Sequence, residues 1–163
     1  MMFDQAAVVA GWNPQYIPPG FDGLFRQPFV YNVNFLAAAN GSVTTGTTNI
    51  QNDSYFVCVE QMADIWDSAT GNTTHLSPDA AAMLVRIVDT SSGKFIVDQP
   101  TPIGNWFGTG LRPFVWLARA QVYRPGGQIQ VELTQNMAAS QNVRLSFVGF
   151  KVYHNVQDDF SKM

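Results

Sequence analysis

Gln128-Ile129-Gln130-Val131-Glu132-Leu133-Thr134 alternates apolar and polar residues without a break. It stands between Phe114-Val115-Trp116-Leu117 upstream and Asn142-Val143-Arg144-Leu145-Ser146-Phe147-Val148-Gly149-Phe150-Lys151-Val152-Tyr153 downstream. Side chains of an extended strand point alternately to opposite faces, so this period of two describes strands with one buried face. Ile129, Val131 and Leu133 face inward. The breaks between the runs are turn-formers, Arg124-Pro125-Gly126-Gly127 among them. The last run changes phase: Val143, Leu145 and Phe147 share one face, but beyond Gly149 the apolar set becomes Phe150 and Val152. A slip at a glycine inside a strand predicts a β-bulge or a bend between sheets there.

The same signals extend upstream. Phe29, Tyr31, Val33 and Phe35 alternate with Val30, Asn32, Asn34 and Leu36, and Asn40-Gly41 is a strong turn pair. Ser42 to Ile50 is a threonine-rich run suited to an exposed strand. Ser54 to Met62 is more buried, with Tyr55, Val57 and Val59 on one face and Phe56 and Cys58 on the other. Residues 63 to 79 read as a loop, with a short helix where Ser77-Pro78-Asp79 precedes an alanine run. Ala82 to Asp89 and Lys94 to Asp98 flank Thr90-Ser91-Ser92-Gly93 as a hairpin. Gln99 to Gly110 reads as a long connection carrying Trp106 and Phe107 as interface residues. Phe114 to Tyr123 is a strand in which Trp116 is assigned to the core. Helical periodicity is weak throughout. Eight or so strands in one domain predict an all-β antiparallel β-sandwich of jelly-roll type.

Residues 1–27 follow another rule. Gly11-Trp12-Asn13-Pro14-Gln15-Tyr16-Ile17-Pro18-Pro19-Gly20-Phe21 mixes aromatics with proline and glycine. Pro18-Pro19 favours an extended, polyproline-like path. A segment that cannot form its own core yet carries Trp12, Tyr16, Ile17 and Phe21 is expected to lie along another surface, its own domain's or a neighbour's. The chain therefore divides into an extended arm (1–27), a sandwich (28–154) and a tail (155–163).

Composition narrows the function. Of 163 residues 13% are charged and 46% hydrophobic, so the charge missing from an ordinary soluble domain, about 25%, is replaced by Asn, Gln, Ser, Thr and Gly. Hydroxyl and amide groups exchange water for a partner's groups at little cost. That suits a chain living in an assembly, or a monomer with a polar, uncharged surface. Net charge is -3 and the nine basic residues are scattered, which argues against direct nucleic-acid binding. The single cysteine, Cys58, has apolar flanks and reads as a buried, inert thiol. No segment has the length of a transmembrane helix or the pattern of an export signal, so synthesis in the cytoplasm and no membrane contact are expected. The glycosylation-type triplets at Asn40, Asn52 and Asn72 then read as turns and polar loops.

Asp64, Asp67, His75 and Asp79 are the best metal-binding set, but their spacing matches no ligand pattern. His154 reads as a surface residue of the tail. No serine stands in a nucleophile-elbow motif, and no phosphate-cradling glycine pattern is present. The expectation is a protein that is not an enzyme and takes no cofactor. Trp12, Trp66, Trp106 and Trp116 could stack on sugars, although aromatics are equally typical of protein interfaces.

Arg112-Pro113-Phe114-Val115-Trp116, the strand Ile129 to Thr134 and the strand Gln141 to Tyr153 together resemble the jelly-roll minor capsid, or cement, proteins that decorate tailed-bacteriophage heads. The resemblance covers roughly a quarter to a third of the chain. It implies a homotrimer on the outer surface of the virion head, made in the host cytoplasm and bridging major capsid protein subunits. A tail or neck component, a host-glycan-binding one included, shares the same features.

Overall fold

The computed structural model describes residues 26–38, 40–67 and 75–153. Nine strands and one helical turn account for most of them: β1 (Arg26–Ala38), β2 (Val43–Asn49), β3 (Ser54–Asp67), β4 (His75–Leu76), β5 (Met83–Asp89), β6 (Lys94–Pro102), α1 (Gly104–Phe107), β7 (Phe114–Tyr123), β8 (Gln128–Gln135) and β9 (Gln141–Tyr153). One sheet runs β1-β9-β3, with β7 and the short β4 sharing the far side of β3, and the other runs β2-β8-β5-β6. Every pairing is antiparallel. Setting β4 aside, β1-β9-β3-β7 against β2-β8-β5-β6 is the strand order of a jelly roll, two Greek keys folded into a double sheet. Among the described residues no helix is long and apolar enough to cross a membrane.

The core lies between the sheets and follows the alternation. Tyr31, Val33 and Phe35 of β1 and Val143, Leu145 and Phe147 of β9 meet Met83, Val85 and Ile87 of β5 and Ile129, Val131 and Leu133 of β8. Each such side chain removed from water contributes about 1.5–3 kcal/mol before ordering costs are subtracted. Turns form where the sequence marks them, at Asn40-Gly41 and at Thr90 to Gly93. In the second, the Asp89 carboxylate accepts hydrogen bonds from the Ser91 amide (3.0 Å), Ser91 Oγ (2.6 Å) and Ser92 Oγ (2.6 Å).

Four expectations are corrected. Residues 63–67 are not loop: β3 continues to Asp67, paired throughout with β9, because a well-placed partner strand overrides the weak local preference of Ala63 and Asp64. His75–Leu76 forms β4, and Pro78 to Ala80 make a turn instead of a helix. Gln99 to Pro102 belong to β6. Finally, β9 does not slip at Gly149. Its register against β1 is unbroken from Arg26↔Val152 to Phe35↔Val143. The irregularity lies opposite, in β3, where the register shifts between Cys58 and Glu60 and leaves Val59 as the extra residue.

Candidate interaction surface

The bulge explains the apparent phase change. In β9 the residues after Gly149 keep the same alternation, so Phe150 and Val152 point away from the sandwich interior. Phe150 pairs with Val57, and Val152 with Tyr55. Those residues share the outward face. Val57, Val59, Phe150 and Val152 form a second apolar cluster, with Tyr55, Ala120 and Val122 packed against it. None of the four is more than 2% exposed. Gly149 permits the arrangement. A Cβ there would strike the Val57 carbonyl oxygen and come within 2.9 Å of Cys58 Cα, so the bulged backbone of β3 occupies the space of a side chain.

Further along the same outward face, beyond Val30 and Val148, polar residues pair across the strands. Ser146 Oγ donates to Asn32 Oδ1 (2.7 Å) and Arg144 Nε to Asn34 Oδ1 (3.2 Å). Arg144 also lies 5.7 Å from the centre of the Trp66 ring. Of the four candidate metal ligands, the structure brings together His75 and Asp64, whose Nδ1 and Oδ1 are in contact. Asp79 is elsewhere, bonded by Ser77 Oγ and by the Gly110 amide (3.0 Å). The Ser77 bond, then the Gly110 bond, hold its carboxyl below the usual carboxylate range. Asp67 ends β3 opposite Gln141. Among the described residues no three His, Cys, Asp or Glu side chains are grouped to hold a metal ion.

The Asp79–Gly110 bond has a structural consequence. It anchors a tight loop in which the Thr109 amide donates to the Arg112 carbonyl (2.6 Å) and the Arg112 amide donates back to Thr109 (3.1 Å). Gly108 enters this loop at φ 94°, in the left-handed region that a side chain resists. A Cβ there would also lie 2.8 Å from the Phe114 amide nitrogen. The loop carries Leu111 at its tip, 97% exposed. Phe114 and Trp116 follow on β7, each 40% exposed, their rings edge to face at 6.4 Å. Among the described residues β7 pairs with β3 alone, so these side chains border a sheet edge. Exposed apolar groups scattered singly are ordinary, but a patch beside an open strand edge is a docking feature.

Trp116 is therefore not core. Leu117, its neighbour of opposite alternation, is buried instead, as is Tyr123 at the end of the same strand. Phe107 is fully buried and edge-to-face with Phe147 at 5.8 Å, and Trp106 packs half-buried on the same core. Phe107 thus offers no surface to a partner, since α1 folds inward under the loop. Glu60 lies opposite Trp116, half-buried, and burial pushes its carboxyl above the ordinary range. Cys58 is buried in the core, and burial raises its thiol to about 12, well removed from the thiolate that reactive cysteines need. Trp12, Tyr16, Ile17, Phe21 and His154 lie outside the described residues.

The outward face of the four-stranded sheet differs. Thr45, Thr47 and Asn49 of β2 stand opposite Glu132, Gln130 and Gln128 of β8. Gln128 Nε2 donates to Asn49 Oδ1 (2.9 Å), and Arg86 bonds Glu132 (3.0 Å) while lying 4.3 Å from the centre of the Phe95 ring. The surface patch and the outward cluster escaped the sequence reading. Their signals were apolar residues on both faces of Val57-Cys58-Val59 and the repeated aromatic at Phe114 and Trp116. No protein-family model matches this chain, and no curated protein matches it.

Proposed function

We propose that this chain is a structural virion protein that decorates a tailed-phage head, a homotrimer bridging subunits of the major capsid protein on the outer surface. It carries out no catalysis and needs no cofactor. The observation that carries the reading is the patch Leu111, Phe114 and Trp116, held out by a hydrogen-bonded loop at the edge of a jelly roll. The charge-poor composition and the resemblance of residues 112–116, 129–134 and 141–153 to cement proteins add to it. The mechanism is additive burial. Each copy contributes modest contact area, and trimerisation makes the contacts act together through effective concentration. A protein that binds only the intact lattice stabilises that lattice by mass action.

Heads with and without the protein, compared for DNA release against temperature and for adsorption to cells, test this reading. Earlier release from heads lacking it, with adsorption unchanged, is the expected result. Equal release curves with lost adsorption would instead make the chain a tail or neck component, host-glycan binding included. Leu111→Asp and Trp116→Ala should each lower occupancy on heads while leaving the sandwich folded. Sedimentation equilibrium checks the trimer: a strict monomer at tens of micromolar counts against it.

A further inference from the structure

The polar half of the outward face on the five-stranded sheet holds an arrangement that the contact patch does not use. Ile65, Val143 and Leu145 are fully buried, so their neighbours Asp64, Trp66, Asn142 and Arg144 point outward. Trp66 of β3 stands between His75 of β4 and Asn142 of β9. Asp64, two residues back, is opposite Arg144, which in turn is opposite Asn34 of β1. Four strands thus set an indole, an imidazole, a carboxylate, a guanidinium and a carboxamide side by side. The field spans three inter-strand steps, about 14 Å, by two residues, about 7 Å, which is the footprint of a disaccharide. We propose that it is a carbohydrate site, taking a neutral sugar whose ring face rests on Trp66 and whose hydroxyls are bound by Asp64, Arg144 and Asn34.

Each polar group is fixed through one atom and presents another. Asp64 Oδ1 contacts His75 Nδ1, which leaves Oδ2 to accept from a hydroxyl. Arg144 Nε donates to Asn34 Oδ1 (3.2 Å), which leaves the terminal guanidinium nitrogens and Asn34 Nδ2 as donors. The His75 and Asp64 side chains are 56% and 43% exposed, and Asn34 and Arg144 are exposed as well, so a ligand reaches all four. Trp66 is half-buried, with the His75 ring 6.4 Å from its own and the Arg144 guanidinium 5.7 Å from its centre. Groups held in place beforehand lose little freedom on binding. A sugar hydroxyl both donates and accepts, so adjacent hydroxyls match a carboxylate beside a guanidinium, and the C–H face of the ring matches an indole.

Other ligands fit less well. The formal charges of Asp64 and Arg144 cancel, so an anion drawn to the guanidinium also meets the carboxylate. A metal ion finds His75 and Asp64 but, among the described residues, no third ligand. An extended peptide adds to an open sheet edge, whereas β3 and β9 are paired on both sides here. The inference does not rest on the virion reading, since Leu111, Phe114 and Trp116 are not part of the site.

The test applies the full chain to an array of bacterial-surface and eukaryotic oligosaccharides, neutral and acidic, with a single-stranded oligonucleotide as a further probe. Neutral ligands that bind are then titrated in solution by NMR. For so shallow a field a dissociation constant of about 0.1–1 mM is expected. Trp66→Ala should weaken binding at least about tenfold and Asp64→Asn at least about threefold, while Gln130→Ala on the other sheet leaves it unchanged. Urea midpoints check that the variants are folded, and Asp64→Asn, which keeps its shape, decides the matter if Trp66→Ala is not. Neutral sugars of either origin support the site. An array without neutral binders, binding confined to acidic glycans or the oligonucleotide, or an affinity untouched by these two variants overturns it. Leu111→Asp should leave sugar binding intact; its loss would move the sugar to the contact patch and overturn the assignment to Trp66.

Discussion

The two outward faces of this sandwich are built from the same pleated backbone and do opposite things. On the four-stranded sheet, Thr45, Thr47, Gln128 and Gln130 present hydroxyls and amides, and Arg86 bonds Glu132 and Gln128 bonds Asn49 across strands. On the five-stranded sheet, Asn32, Asn34, Arg144 and Ser146 pair across strands on one half of the face, but the other half is a packed apolar cluster, with Phe114 and Trp116 exposed further along β7. A hydroxyl-rich row holds its hydrogen bonds with water or with its neighbours, so it gains little from being covered. An apolar row gains about 25 cal/mol for each Å² covered. The difference separates a face that is held by hydrogen bonds from one that is held by packing.

The largest expected effect comes from closing the space on which the apolar face depends. Gly149→Val places a side chain on the Val57 carbonyl, which is fixed by the strands on both sides. It should cost at least about 4 kcal/mol, seen as loss of soluble folded protein or a collapse of the urea midpoint. Native-like stability of this variant would show that the bulge is not needed. Next, Phe150→Ala should cost about 3 kcal/mol, whereas Gln130→Ala on the other face should stay within about 0.5 kcal/mol. Comparable losses from both, measured by chemical unfolding, would erase the contrast between the faces. Smaller again, Glu132→Gln breaks a partly exposed ion pair with Arg86. It should cost under about 1 kcal/mol, less still in high salt.

The subtlest test uses pH. Burial raises the Glu60 carboxyl, on the apolar side beside Trp116, above the ordinary glutamate value. The folded chain then keeps a proton that the unfolded chain has already released. Its contribution is fully present below the ordinary glutamate pKa and is lost as pH rises through the raised folded pKa. Glu60→Gln should flatten the stability profile across that window. A profile identical to that of the parent protein would mean that Glu60 meets water freely. The direction is opposite to that of Asp79, whose carboxyl the Ser77 and Gly110 bonds hold low.

Most of the sandwich was legible because alternation is a local signal. Phe29 to Leu36, Gln128 to Thr134 and Val143 to Phe147 each state their buried face without reference to a partner. What failed was everything decided by a neighbour. Val57-Cys58-Val59 is apolar on both faces, so alternation within β3 cannot locate an extra residue. The irregularity was therefore assigned to Gly149, the strand opposite. Ala63 to Asp67 become strand because β9 runs alongside them. Trp116 and Phe107 exchange their expected places, since aromatic content says that a side chain seeks cover but not which cover it finds. The Leu111 loop was equally hidden: its shape depends on a bond from Gly110 to Asp79, thirty-one positions away.

One consequence of the topology concerns time. The five-stranded sheet is closed by β9, which lies between β1 and β3 and pairs Val152 with Arg26. Until residues 141–153 have left the ribosome, two of the longest strands have no common partner and their apolar rows stay uncovered. Sheets held by such distant pairings form slowly, because the chain must be gathered before the contacts reward it. An interrupted chain is then sticky and open to degradation, while a finished one conceals its rows in a single late step. Strand order thereby sets a condition on synthesis: only polypeptides made through β9 can complete this sheet.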